Sequence, residues 1–280
     1  MNLGMRRRVL LIPLLLAGVL GGMVAATPAS AAPAASGGDR WALLVGIDHF
    51  EGPTRTNFGA VNDAADFRQA LLKAGWADDH IKVLTDGGAR AADIRAGFQW
   101  LVGHSGPTSL SVFHYSGHVK QEGTTEYLWP HDNSFIPDSE LAANMRQLKG
   151  RAWVDISGCE AAGFDEGISS PTRLFTASSR ATEKSYEIPD LGHSVFSLLV
   201  AQRALLRGEG DANRDGKVSV QEAFAYAADR APQISAGQAQ GAQHPVTAGW
   251  DGTPLFLDAP AGPPAAPAPP AQHCFLIFCS

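Results

Sequence analysis

The chain has 280 residues, with 22 Lys and Arg against 28 Asp and Glu, a net charge of −6 with histidine neutral, and 45% hydrophobic residues. The acidic balance argues against nucleic acid as a partner. Only three cysteines are present, Cys159, Cys274 and Cys279.

Residues 1–31 are built like a secretory signal. Arg6, Arg7 and Arg8 form a basic head, Val9 to Ala26 an apolar middle, and Ala29-Ser30-Ala31 a small-residue cleavage site. The apolar run approaches spanning length, so a retained anchor is the competing reading; a twin-arginine route is a further one, in a weak context. Cleavage implies a secreted protein with no stable membrane insertion, and it leaves the remainder more acidic still. Residues 32–40 read as a linker and residues 41–258 as one sizeable domain. Residues 259–280 form a Pro/Ala-rich tail that cannot pack a core. Cys274 and Cys279 within it can pair, stay free or bridge to another chain.

Within the domain, Trp41 to Ile47 (WALLVGI) is a short continuous apolar run, which predicts a buried parallel strand. Ala60, Ala64, Phe67 and Leu71 recur at helical spacing, with Gly75 as a stop. His80 to Asp86 predicts a second strand. Ile94, Phe98 and Leu101 mark a second helix, and Ser109 to Ser116 a third strand. Asp138 to Leu148 predicts a helix with Asp138 as N-cap. Arg151 to Ser157 and Arg173 to Ser179 predict the fourth and fifth strands. His193 to Leu206 is a long apolar helix, and Thr253 to Asp258 predicts a last strand. The alternation predicts an α/β fold, a mostly parallel sheet with helices on both faces.

Ligands gather beyond the carboxyl ends of strands in such sheets. His118 follows the third strand after Gly117, and Cys159 follows the fourth after Gly158. If those strands pair, a thiol and an imidazole meet, which makes a nucleophile and its base. The glycines are expected to supply sharp turns that expose backbone N–H groups to an oxyanion. Taken singly, Cys159 reads equally as an inert buried thiol and His118 as a loop histidine; their joint placement favours catalysis. His114 belongs to the strand and reads as a packed or edge ring. HYSGH (His114 to His118) lacks the glutamate of HExxH, and no G-x-S-x-G appears, so neither a zinc protease nor a serine hydrolase is indicated.

The segments ALLVGID (Ala42 to Asp48), VNDAADF (Val61 to Phe67), VLTD (Val83 to Asp86), FHYSGH (Phe113 to His118), EYLWPHD (Glu126 to Asp132) and VDISGCEAAGF (Val154 to Phe164) follow in order. The series resembles the caspase-like and metacaspase-like cysteine peptidases, over nearly the whole domain. The resemblance implies a three-layer caspase-hemoglobinase-like fold, a peptide or protein substrate, His118 as general base and Cys159 as nucleophile. It places the oxyanion donors at the backbone amides of Val119 and Cys159. Val119 stands where the family has glycine, so its side chain is expected to narrow the site. Ser157 takes the place of the family's acidic residue two before the cysteine. Asp155, Glu160 and Asp165 crowd the cysteine and are candidates to receive an Arg or Lys side chain, with loop solvation as the alternative. Leu174 to Glu187 also resembles legumain-type peptidases, which cut after asparagine.

Residues 211–222, DANRDGKVSVQE, match a calcium-binding EF-hand loop. Asp211, Asn213, Asp215, Ser219 and Glu222 stand at positions one, three, five, nine and twelve. Lys217 offers its carbonyl at seven, and Gly216 makes the bend. Calcium is therefore an expected cofactor, structural or regulatory and not needed for the chemistry; the loop is single, which disfavours a dockerin-type module. Two functions stay open: a secreted cysteine endopeptidase, and a catalytically silent caspase-like fold acting as a calcium-dependent binding module.

Overall fold

The structure, a computed structural model, describes residues 39–258. The expected signal segment, most of the linker, and the tail with Cys274 and Cys279 lie outside the described residues.

Six strands form the central sheet: β1 (Arg40–Gly46), β2 (Ile81–Thr85), β3 (Leu110–Ser116), β7 (Arg151–Ser157), β8 (Arg173–Ala177) and β11 (Val246–Ala248). Their order is β11-β8-β7-β3-β1-β2. Every pairing is parallel except that of β11 with β8. Parallel strands are buried on both faces, and β1 shows why its sequence is continuously apolar. Leu43 and Val45 pack with Phe98 of α2 (Ala91–His104) and Leu141 of α3 (Asp138–Met145). Ala42 and Leu44 pack on the other face with Phe67 of α1 (Ala60–Lys73) and Ala223 of α5 (Val220–Ser235). Burying each such Leu or Phe contributes about 1.5–3 kcal/mol. The three-layer α/β arrangement agrees with the expected fold.

A small antiparallel sheet of β4 (Val119–Glu122), β5 (Thr125–Leu128) and β6 (Ile136–Pro137) follows β3. Strands this short and polar carry little periodicity, so sequence patterning does not show them. The hairpin strands β9 (Glu187–Ile188) and β10 (His193–Ser194) are shorter still.

Three sequence expectations need correction. Thr253 to Asp258 is not a strand. Leu255 and Leu257 are buried, but their backbone groups bond elsewhere. The Leu255 carbonyl accepts from Val220 N–H, and its own N–H donates to Gln221. The Leu257 carbonyl accepts from Arg40 and Trp76. With helix and side chains answering these groups, no ladder is required. The N-cap of α3 is Pro137, and Asp138 is the first helical residue. Its carboxylate accepts from Glu126 N–H (3.0 Å), tying the helix to β5. The long apolar helix begins at α4 (Val195–Ser197), capped by Ser194, and continues as a π-helical stretch over Leu198–Leu206. Its first two expected residues belong to β10.

Candidate active site

Strands β3 and β7 pair in a register that sets each residue opposite the one 41 further on: His114 faces Asp155, and Ser116 faces Ser157. The Gly117 N–H still donates to the Ser157 carbonyl (3.1 Å). His118 and Cys159, at the same offset, each stand two residues beyond the last paired position. Both line one cleft of about 430 Å3, with Ser116, Gly117, Ser157 and Gly158 beneath them. The two glycines are required for space rather than for left-handed turns. A Cβ at Gly117 would stand 2.9 Å from the Tyr115 hydroxyl, and one at Gly158 2.7 Å from Val119 Cγ2.

The His118 ring lies between Phe50 (4.9 Å, stacked) and Trp129 (5.7 Å). Its Nε2 sits 2.7 Å from the Arg55 carbonyl. A carbonyl only accepts, so Nε2 carries the proton, and Nδ1 is left as the bare, basic nitrogen. Burial pushes the His118 pKa below its usual value, with the Arg55 carbonyl opposing and the Arg55 charge assisting.

Cys159 is half-buried, and its Sγ lies 3.8 Å from the Ser185 carbonyl. Burial pushes its thiol pKa up, partly offset by that hydrogen bond. Both shifts favour a neutral thiol beside a neutral imidazole at rest, so proton transfer accompanies attack. Glu160, the next residue, is held in the left-handed region (φ +49°), which few non-glycine residues adopt. The Gly158 N–H donates to Ser178 and that of Glu160 to the Glu183 carbonyl. The Cys159 N–H between them has no partner among the described residues. Trp129 N–H donates to the His118 carbonyl (3.2 Å), so alternation along the strand turns the Val119 N–H away from β5. Of these two N–H groups, only that of Cys159 belongs to a residue lining the cleft. The Val119 side chain packs against Gly158 and is not among the cleft-lining groups, so it does not narrow the site.

Of the carboxylates expected to receive substrate, none lines the cleft. Asp155 is fully buried inside the sheet, bonded to His114 Nδ1 (2.8 Å) and to the Thr176 hydroxyl. The register sets its side chain against His114, two residues deeper than the strand end and on the same face as Ser157. Glu160 is 6% exposed and ion-paired with Lys184. Asp165 accepts from Ser169 N–H (2.7 Å) and braces its own loop. The acid on the cleft wall is instead Glu187, which accepts from Phe58 N–H (2.9 Å) and Gly59 N–H (3.2 Å). Burial, then the nearby Asp63 and Asp48, pushes its pKa up to about 7 against those two hydrogen bonds. Beneath the floor, buried Asp63 accepts from the Ser116 hydroxyl (2.7 Å) and pairs with His193 (3.1 Å). Ser157 and Ser194 hydroxyls meet at 2.9 Å. Asp63 lies in the VNDAADF segment, but nothing in that run tells a buried floor carboxylate from a surface one.

The 211–222 loop has the expected turn. Asp215 N–H donates to Asp211 (3.1 Å) and Asn213 (2.8 Å), and Gly216 N–H donates to Asp211 (2.9 Å) at φ +85°. Asp215 accepts from Lys217 N–H (2.9 Å). Glu222 does not join them. It accepts from Ser219 N–H (2.9 Å) and Ser219 Oγ (2.8 Å) as the capping box of α5. Accordingly no cluster of three or more His, Cys, Asp or Glu suited to a metal gathers among the described residues.

A parallel α/β sheet thus brings a thiol and an imidazole to one cleft from beyond the ends of its two central strands. Residues 39–240 match the caspase domain family, and the chain belongs to that family of cysteine-type peptidases. Metacaspase-1 of Mycosarcoma maydis is 37% identical over 95 residues, 32% of this chain and 23% of that protein. Metacaspase-1 of Candida albicans is 34% identical over 131 residues, covering 39% and 29%. Metacaspase-1 of Cryptococcus neoformans is 28% identical over 196 residues, covering 61% and 41%. The chain therefore spans well under half the length of these relatives. The crystal structure of protein GSU0716 from Geobacter sulfurreducens shares the fold, with a TM-score of 0.58 at 16% identity over 82% of this chain and 98% of that one.

Proposed function

We propose that the protein is a secreted cysteine endopeptidase that cuts after Arg or Lys, with a calcium-binding loop beside its catalytic half. The observation that carries the reading is that His118 and Cys159, each two residues beyond the last β3–β7 pair, line one cleft. In the reaction, His118 Nδ1 takes the thiol proton while Sγ attacks the scissile carbonyl carbon. The N–H groups of Val119 and Cys159 hold the oxyanion. The C–N bond then breaks, the imidazolium protonates the departing amine, and water hydrolyses the acyl-enzyme with His118 as base.

A basic side chain fits a floor of three hydroxyls, Ser116, Ser157 and Ser194, backed by Asp63 and walled by Glu187. For calcium, Asp211, Asn213 and Asp215 already share hydrogen-bonded nitrogens, and Glu222 completes the set only by leaving Ser219. Binding is thus coupled to rearrangement at the start of α5, in keeping with a weak extracellular-range affinity of about 10⁻⁴–10⁻³ M. Titration calorimetry on wild type and Asp215→Ala tests it: no calcium heat in either removes calcium from the account.

Reporter peptides carrying Arg, Lys, Asn or Asp before the cleaved bond test the enzyme reading. The expected result is cleavage after Arg and Lys, lost on Cys159→Ala by many powers of ten, roughly 10⁶ in the best-studied case. Cleavage after Asn alone refutes the basic preference. Turnover of every peptide at the Cys159→Ala level refutes the enzyme.

A further inference from the structure

We infer that Gln243 is a positioning residue for Cys159, acting through the 178–186 segment that its amide clamps. The inference rests on Cys159 being the nucleophile, and it concerns a residue beyond the family match, which ends at residue 240.

The cysteine loop is stitched to this segment along its length. Gly158 N–H and Ala161 N–H donate to the Ser178 and Ser179 hydroxyls, both of which donate back to the Gly158 carbonyl. Glu160 and Ala162 N–H donate to the Glu183 and Ser179 carbonyls. The Ser185 carbonyl is the group that faces the thiol. Lys184 to Glu187 form a wall of the cleft. Moving this segment therefore moves the nucleophile's loop, the partner of its S–H and the substrate wall together.

Gln243 holds both ends of that segment. It is 0% exposed. Its Oε1 accepts from Tyr186 N–H (3.0 Å), and its Nε2 donates to the Ser178 carbonyl (3.0 Å). Its own N–H donates to Ser235 (2.9 Å), also fully buried, at the end of α5. The amide does the work of a peptide unit in a paired strand, where no strand is present. Buried without partners, the amide would forfeit its hydrogen bonds to water with nothing in return. An apolar residue of like size fills the space but leaves Tyr186 N–H and the Ser178 carbonyl unanswered. Neighbouring contacts run the same way: Tyr186 Oη donates to the Gly241 carbonyl (2.7 Å), and His244 bonds Glu183 (2.9 Å).

The test compares wild type, Gln243→Leu and, as control, Gln99→Leu, which loses a part-buried amide bond to Asn144 away from the cleft. Two quantities are read on folded protein: kcat/KM on the best basic reporter peptide, and the pH profile of Cys159 alkylation by iodoacetamide. Gln243→Leu is expected to lose roughly 100-fold in kcat/KM, the scale of about a 1 Å misplacement, and to shift the alkylation profile. Gln99→Leu is expected to move neither. Should Gln243→Leu not fold, Gln243→Asn, whose amide is one methylene short, is expected to give the same two changes in milder form. A folded Gln243 variant with wild-type activity and an unshifted profile overturns the inference. If the wild type cuts no peptide, the peptidase reading falls, while the alkylation profile still decides the role of Gln243.

Discussion

Two histidines on one strand segment meet partners from the same neighbouring strand at the same offset of 41, and end in opposite chemistry. His114 and Asp155 face each other inside the sheet. Both are 0% exposed, and the imidazole is stacked on Phe67 at 3.8 Å. With Nδ1–H donated to Asp155, His114 Nε2 is left as a buried acceptor without a partner. His118 and Cys159 continue the register past the last ladder bond, where Gly117 and Gly158 leave room and solvent reaches the groups. One pair is locked inside the sheet, and the other two residues line the cleft. Position relative to the strand end decides whether such residues are enclosed or open to the cleft.

The largest expected effect separating the pairs is at Asp155. Asp155→Ala leaves the buried His114 Nδ1–H unpaired and takes the acceptor from the Thr176 hydroxyl, whose oxygen keeps the Trp153 indole N–H. It is expected to cost about 1–3 kcal/mol in urea unfolding for each of the two donors left without an acceptor, with kcat of the folded fraction within a few-fold of wild type. A matching collapse of kcat would place Asp155 in the chemistry.

Glu187 gives the next effect, through pH. Its folded pKa, about 7, lies above the ordinary 4.5, so the folded state keeps a proton that the unfolded chain has already released. This contribution to stability is fully present below pH 4.5 and is lost as pH rises to about 7. The melting temperature of Glu187→Gln relative to wild type is expected to climb across that window and then level off. The variant is also expected to lose preference for Arg and Lys peptides. A flat difference across pH contradicts the burial of this carboxyl.

The smallest effect is at Val119. On the proposed mechanism its N–H holds the oxyanion whatever the side chain, and that side chain packs on Gly158 outside the cleft. Val119→Gly is expected to change kcat/KM by less than about threefold, a small fraction of the 10²–10³ associated with losing an oxyanion donor. A large gain would mean that the valine obstructs the site after all.

Much of the frame was legible in the sequence. A continuous apolar run marked β1, the alternation of strands with helices marked the other four parallel strands, and glycines after two of them pointed to His118 and Cys159. Which carboxylate would face substrate was not legible. Asp155 shares a strand face with Ser157 but lies two residues deeper, where the register encloses it against His114. Glu187 arrives from a two-residue strand too short to pattern. The Arg55 carbonyl, which fixes the His118 tautomer, is a backbone group that no residue type announces. Leu255 and Leu257 spelled a strand, but their backbone groups were claimed by α5, Arg40 and Trp76.

The central claim is that His118 and Cys159 act as one unit. The most direct measurement is kcat/KM on an Arg reporter for wild type, His118→Ala, Cys159→Ala and the double variant. Members of one catalytic unit are grossly non-additive, so the double variant should be no slower than the slower single one. Losses that multiply, or a His118→Ala protein that keeps wild-type activity, would contradict it.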